Sequence, residues 1–240
     1  MSGVRRNGDP GIDELSDLSI RFEKSSPEDI LEWAVSAFRE KLCFATAFGA
    51  EGCVLLAMLA KIPNQAYVFN LETGYQFAET LELRERIREK YGVAVDYVRS
   101  RESVADMEER FQGPIYGIAP NECCHIRKIV PLREVAAGYS AWISAIRRDQ
   151  SEARATAPIV GWDAKFEMVK INPLANWTKK DVWTYILAND VPYNPLHDQG
   201  YPSIGCWPCT KPASGNDDRS GRWQGTEKTE CGLHIDGAGI

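Results

Sequence analysis

Of the seven cysteines in this 240-residue chain, five stand where their type and spacing could do chemistry. Cys123-Cys124 and Cys206-Trp207-Pro208-Cys209 form two close pairs, the number and pairing of a four-thiolate metal or iron–sulfur site. Zinc ribbons also use two close pairs, but normally with two residues between ligands, and the adjacent Cys123 and Cys124 depart from that rule. On a helix, neighbouring side chains diverge by roughly 100°, so two adjacent ligands require a bent geometry to share one site. Cys231 differs from all of these, standing alone in Lys228-Thr229-Glu230-Cys231-Gly232-Leu233-His234 near a Gly-rich end. A thiol in such a stretch serves to reach a target and release it, and a cysteine thiolate is a strong nucleophile near neutral pH. Cys43 and Cys53 fall inside apolar runs and read as core thiols.

Composition bounds what can hold these groups. With 44% apolar residues the chain can bury one substantial core, and a single α/β domain with an appended tail is expected. The net charge, 28 basic against 34 acidic residues, is −6, which speaks against a nucleic-acid surface while allowing a local basic pocket. No N-terminal run reads as a signal peptide, and no apolar run is long enough to span a bilayer. Clustered thiols without a signal peptide fit a reducing cytoplasm, where they serve metals or catalysis more often than disulfides.

The positioning elements follow in order. Residues 1–25 read as a loose arm with at most one short amphipathic turn. Ser26-Pro27-Glu28-Asp29 starts a helix, with a capping serine, proline in the first turn and acids that suit the dipole. Cys43 to Phe48 is a short apolar strand that enters Gly49-Ala50-Glu51-Gly52, followed by a buried helix. Strand, small-residue loop and helix make the layout of an anion site, although plain βα turns use glycine in the same way. A second unit pairs the strand Ala66 to Asn70 with the loop Leu71-Glu72-Thr73-Gly74 and a helix from Phe77 to Tyr91. Further strands are expected over Val93–Val98, Ala141–Ile146 and Met168–Ile171, with helices over Ser103–Phe111 and over Lys179–Asn189, the latter capped by Thr178. The segment from Asn121 is helical at least up to Pro131, and Arg147-Arg148-Asp149-Gln150-Ser151 lies at a strand's carboxyl end, as an anion-binding pair or a solvated charged loop. Alternating strands and helices imply a parallel sheet with ligands at its carboxyl edge.

Seven ordered motifs then resemble those of the assimilatory adenosine 5′-phosphosulfate (APS) and 3′-phosphorylated (PAPS) reductases. They are Gly49-Ala50-Glu51, Leu71-Glu72-Thr73-Gly74, Cys123-Cys124-x-x-Arg127-Lys128, Arg147 to Ser151, Gly205-Cys206-x-Pro208-Cys209-Thr210, Arg219-x-Gly221-Arg222-Trp223 and Lys228 to His234. The resemblance covers about Cys43 to His234; it departs where many members carry serine in place of Phe48 and aspartate in place of Gly52 and of Glu72. It implies an adenine-nucleotide α-hydrolase-like (Rossmann-like) fold, with a nucleotide- and cluster-binding domain over 26–210 and a mobile tail over 211–240 carrying the catalytic cysteine. Cys231 is implied as the nucleophile that takes the sulfo group from APS, forming S-sulfocysteine and releasing AMP, with thioredoxin then freeing sulfite. Cys123, Cys124, Cys206 and Cys209 are implied as ligands of a [4Fe-4S] cluster, a set that goes with APS rather than PAPS. Lys128, Arg147, Arg219 and Arg222 are assigned to the phosphosulfate, and Gly49, Ala50, Glu51, Thr73 and Gly74 to the nucleotide. Lys128, just after the ligand pair, would face both cluster and substrate. No nucleic-acid or membrane partner is implied, and the number of copies is left open, a homo-oligomer included. Three rivals stay in view: a PAPS reductase, a tRNA-thiolating enzyme of the ATP-pyrophosphatase kind, whose Ser-Gly-Gly-x-Asp-Ser loop is not matched here, and a non-enzymatic zinc module.

Overall fold

The computed structural model describes residues 11–215 and 217–234. Six strands form one sheet: β1 Leu42–Ala45, β2 Tyr67–Glu72, β3 Asp96–Arg99, β4 Ala141–Ile143, β5 Val160–Asp163 and β6 Met168–Ile171, in the order β3-β2-β1-β4-β6-β5. All neighbours are parallel except β5 on β6, where Val160 faces Ile171 and Asp163 faces Met168. The central strands read as continuous apolar runs because both faces are covered. Register sorts their side chains by face: Phe44, Val68 and Ile143 enter the larger core, while Cys43, Phe69 and Trp142 enter the smaller one. Against the first face pack α1 Ile12–Phe22, α2 Pro27–Phe38, α3 Ala50–Leu59, α4 Ala78–Tyr91 and the Val182 side of α9 Lys179–Ala188. Leu132 and Ala136 of α8 Val130–Ala136 cover the second. Two short helices, α5 Val104–Arg110 and α6 Ile115–Ile118, lead to α7 Pro120–Cys124.

Local signals account for most boundaries. Ser26 and Thr178 each accept from the third helical N–H while Asp29 and Asp181 reach back, the reciprocal cap expected at α2 and α9. The strand expected over Val93–Val98 begins at Asp96, and the one expected over Ala141–Ile146 ends at Ile143. β5 was not foreseen. Its Gly161 and Asp163 are poor strand formers, and it exists as the antiparallel partner of β6.

The expectation of a loose arm over residues 1–25 is corrected within the described residues. Residues 12–22 form α1, whose Leu15 is buried, and Ser19 Oγ accepts from Ile159 N at 2.9 Å and Val160 N at 3.4 Å. The hydroxyl thereby ties the helix to the start of β5. Residues 1–10 lie outside the described residues.

Candidate active site

Chain order sets the site's location. From β1 the chain moves outward to β2 and β3, then crosses to β4 on β1's other side, so the crevice between the carboxyl ends of β1 and β4 is a topological switch point. A cavity of about 480 Å³ opens there. Thr46 Oγ1 accepts from Phe48 N at 3.1 Å, Phe48 takes a positive φ of 54° with its ring buried, and Gly49 then starts α3 without a capping side chain. The first N–H groups of α3 are consequently left for a ligand. Gly52 completes the loop, because a Cβ there would come within 2.8 Å of Thr46 Oγ1.

Gly49, Ala50, Glu51, Thr73, Lys128, Arg147, Arg219, Arg222 and Cys231 all line this cavity. Arg147 is buried and already neutralised, with Glu51 at 3.1 Å and Asp149 at 3.4 Å. Gly74 is absent from the wall. Its φ of +79° turns the chain, and a Cβ there would meet Val104 Cγ2 at 2.4 Å, so this glycine serves the turn. Beside it Arg127, buried, donates to Thr73 O at 2.7 Å and Glu102 O at 2.5 Å and holds the loop that the motif reading gave to the nucleotide. Sequence reasoning missed wall residues with buried polar atoms that meet no protein partner, among them Gln76 Oε1 and Ser144 Oγ. Each follows a strand or sits in a loop at the carboxyl edge, the one signal that could have found them.

The paired thiols surround a second, smaller cavity next to the first. α7 ends at Cys124 and widens into a π-helical turn, His125–Ile129, before α8, so the helix runs through Pro131 instead of stopping there. Widening by one residue accommodates a ring that a regular helix interior would exclude. Cys123, Cys124, Cys206 and Cys209 line this cavity with Arg127, Lys128 and Arg222. Thr73 Oγ1 lies 3.3 Å from Cys206 Sγ, and burial pushes the Cys123 thiol up to about 11. Among the described residues no three His, Cys, Asp or Glu side chains converge on a single-ion position. Lys128, Arg222, Thr73, Cys206 and Trp223 border both cavities. Cys43 and Cys53 are buried in the cores, as expected, and burial pushes Cys53 up to about 12.

Residues 217–234 close over this junction. Thr210 bridges to Arg222, and Gly221 packs so closely that a Cβ would lie 2.0 Å from Lys211 O. Arg222 donates to Ser203 Oγ at 3.2 Å and Cys209 O at 3.3 Å, with its guanidinium 4.3 Å from the Trp223 ring centre. Lys128 Nζ reaches Cys231 Sγ at 3.9 Å. The neighbouring Cys124 thiol, together with Lys128 and Arg222, holds Cys231 well below the ordinary thiol range against burial. Gly232 packs on Ile129 and Cys124, and the His234 ring stacks on Trp142 at 6.2 Å and 7°. The site therefore offers a thiol 3.9 Å from an ammonium, three guanidinium groups and a walled crevice, parts suited to nucleophilic attack on an anionic nucleotide.

A family model described as the phosphoadenosine phosphosulfate reductase domain matches residues 41–212. The chain is 49% identical to adenosine 5′-phosphosulfate reductase 2 of Bacillus subtilis over 208 residues, covering 86% of this chain and 88% of that protein. It is 47% identical to phosphoadenosine 5′-phosphosulfate reductase of Gloeobacter violaceus, covering 93% and 95%. Among solved structures, a phosphoadenylyl-sulfate reductase from Candida auris in a phosphate complex aligns with a TM-score of 0.74 at 28% identity, covering 83% of this chain and 97% of that one. Yeast FAD synthetase shares the fold alone, with a TM-score of 0.54 at 15% identity, covering 88% and 70%.

Proposed function

The chain belongs to the phosphoadenosine phosphosulfate reductase domain family, and from that premise we propose that it reduces APS to sulfite and AMP through Cys231, with thioredoxin as reductant, in assimilatory sulfate reduction. What supports this most is the 3.9 Å approach of Lys128 Nζ to Cys231 Sγ beside a crevice that Arg219 and Arg222 also line. The Cys231 thiolate attacks the sulfate sulfur of APS. A sulfur–sulfur bond forms, the bond from that sulfur to the phosphate oxygen breaks, and AMP leaves with the electron pair. Lys128 and Arg222 face the charge that moves onto the departing phosphate, while the free N–H groups of α3 offer a further anion contact. Thioredoxin's dithiol then supplies two electrons: one thiolate displaces sulfite from the S-sulfo group, and the second resolves the mixed disulfide, returning Cys231 as a thiol.

The second cavity suits a [4Fe-4S] cluster by its donor chemistry. Its described walls carry four soft thiols, no carboxylate or imidazole, and three cations that would offset thiolate charge. Cys123, Cys124, Cys206 and Cys209 would hold the cluster, and when bound it would position and polarise the site, since the electrons come from thiols. Among the described residues no helix is long and apolar enough to cross a membrane. Seven free thiols suit the reducing cytoplasm.

The test is anaerobic. Protein mixed with APS and no reductant should gain about 80 Da, one SO₃, on the peptide containing Cys231, as covalent catalysis requires. Cys231→Ser should keep the brown colour of an iron–sulfur protein and bind AMP but form no adduct. Sulfite release surviving in that variant, or an adduct on another cysteine, overturns the proposal, and a PAPS arm measures the nucleotide preference.

A further inference from the structure

Arg154 lines the crevice, and each of its three guanidinium nitrogens has a protein partner. It ends the short turn Glu152–Arg154, is buried, and donates through Nε to Glu230 Oε2 at 3.0 Å and through Nη2 to Glu230 Oε1 at 2.8 Å. Its third nitrogen, Nη1, is committed to Gln150 Oε1. Glu230 is equally buried, and its Oε1 also accepts from Arg219 Nη2 at 2.9 Å and from the backbone N–H of Cys231 at 2.7 Å. One carboxylate thus ties a bidentate arginine from the body of the domain to the main chain of the residue before which it stands. Burial works against its charge, and Arg154, Arg219 and the Cys231 N–H together outweigh that penalty, holding the carboxyl below its ordinary range.

We propose that Arg154 is a positioning residue for Cys231. Acting through Glu230, it anchors the tail so that the sulfur lies at Lys128, and it does not bind the nucleotide. The planar fork matters because two parallel N–H donors fix the carboxylate's orientation, which a point charge would not. On the far side of the cysteine the tail is held by Lys165 Nζ donating to Gly232 O at 2.5 Å, by Gly232 and Leu233 packing on the second core and by the His234–Trp142 stack. Breaking the Arg154–Glu230 pair releases the near side of the segment that carries the nucleophile. The inference rests on Cys231 being that nucleophile.

The test compares Arg154→Gln, Arg154→Lys and Glu230→Gln with the wild type, all as anaerobically purified full chains whose colour and unfolding midpoint show them folded. Iodoacetamide labelling of Cys231, followed by mass spectrometry without nucleotide, reads the anchor directly. Arg154→Gln and Glu230→Gln should label roughly tenfold faster than wild type or more, and Arg154→Lys in between, as expected for losing a charge-assisted pair in whole or in part. With saturating APS the first-turnover rate of adduct formation should fall by a comparable factor, while affinity for AMP stays within about twofold. Unchanged labelling in Arg154→Gln and Glu230→Gln overturns the anchor. So does a loss of AMP affinity with an unchanged adduct rate, which makes Arg154 a nucleotide ligand. Faster labelling with no adduct in the wild type upholds the anchor and overturns only the reductase reading.

Discussion

Lys128 shows how one side chain can belong to two sets. Burial opposes its ammonium, but the thiols of Cys206, Cys231 and Cys124 outweigh that and hold its pKa above the ordinary lysine value. It borders both cavities, so its removal touches the nucleophile and the nucleotide together. Arg222 is placed differently, fixed by Ser203 and the Cys209 carbonyl with one face on Trp223, and it owes nothing to Cys231 for its position. Losing one charge-assisted contact to the substrate should cost about 1.5–3 kcal/mol, or roughly ten- to 150-fold in affinity. We expect that loss for AMP binding in both Lys128→Ala and Arg222→Ala, measured by anaerobic calorimetry, and a fall in adduct rate in both, larger in Lys128→Ala, whose ammonium also reaches Cys231 Sγ at 3.9 Å. Equal AMP affinity in Arg222→Ala would reassign that guanidinium to packing.

At the level of elements, glycines decide which loops reach the crevice. Gly74 and Gly92 both have positive φ, +79° and +68°, but their surroundings differ. Around Gly92, which ends α4 in the left-handed conformation, a methyl group meets nothing within 4 Å, whereas at Gly74 it would meet Val104 Cγ2 at 2.4 Å. Gly92→Ala should therefore cost only the backbone strain, about 1 kcal/mol, while Gly74→Ala adds overpacking of about 1–3 kcal/mol. Urea unfolding of the two variants checks the order, and equal midpoints would show that Val104 yields freely. The turn at Gly74 presents Thr73 to the cavity and its carbonyl to Arg127, so this glycine reaches the chemistry through its neighbours.

For the molecule as a whole, the β5–β6 hairpin buries a carboxylate and an ammonium beneath the tail. Burial lifts Asp163 from 3.8 to about 6, with the Lys170 charge opposing that rise, and burial lowers Lys170 from 10.5 to about 8. Between about pH 4 and 6 the folded chain thus holds a proton on Asp163 that the unfolded chain releases, and this group makes the fold more stable as pH falls through that window, by up to about 3 kcal/mol. The depressed Lys170 acts elsewhere, adding stability as pH climbs from about 8. Asp163→Asn keeps the oxygen that accepts from Lys165 N and Phe166 N. The variant should lose the Asp163 contribution to the slope of unfolding free energy against pH between about 4 and 6. A slope identical to wild type there would place the proton on another group.

The sequence by itself determined the chemical inventory: the two thiol pairs, the isolated Cys231, the cations of the ordered motifs and the strand–loop–helix units. These are local patterns, and so are the caps at Ser26 and Thr178, because a side chain three residues from an N–H needs no distant partner. Only the tertiary structure decided what each group faces. It paired Arg147 with Glu51, turned Gly74 away from the crevice, docked α1 on β5, and joined Arg154 to Glu230 across a separation of 76 residues. It also gathered Gln76, Ser144 and His197, three residues with no motif in common, on one wall. Such contacts depend on strand order and register, which arise when distant segments bury apolar surface together, and no spacing along the chain encodes them.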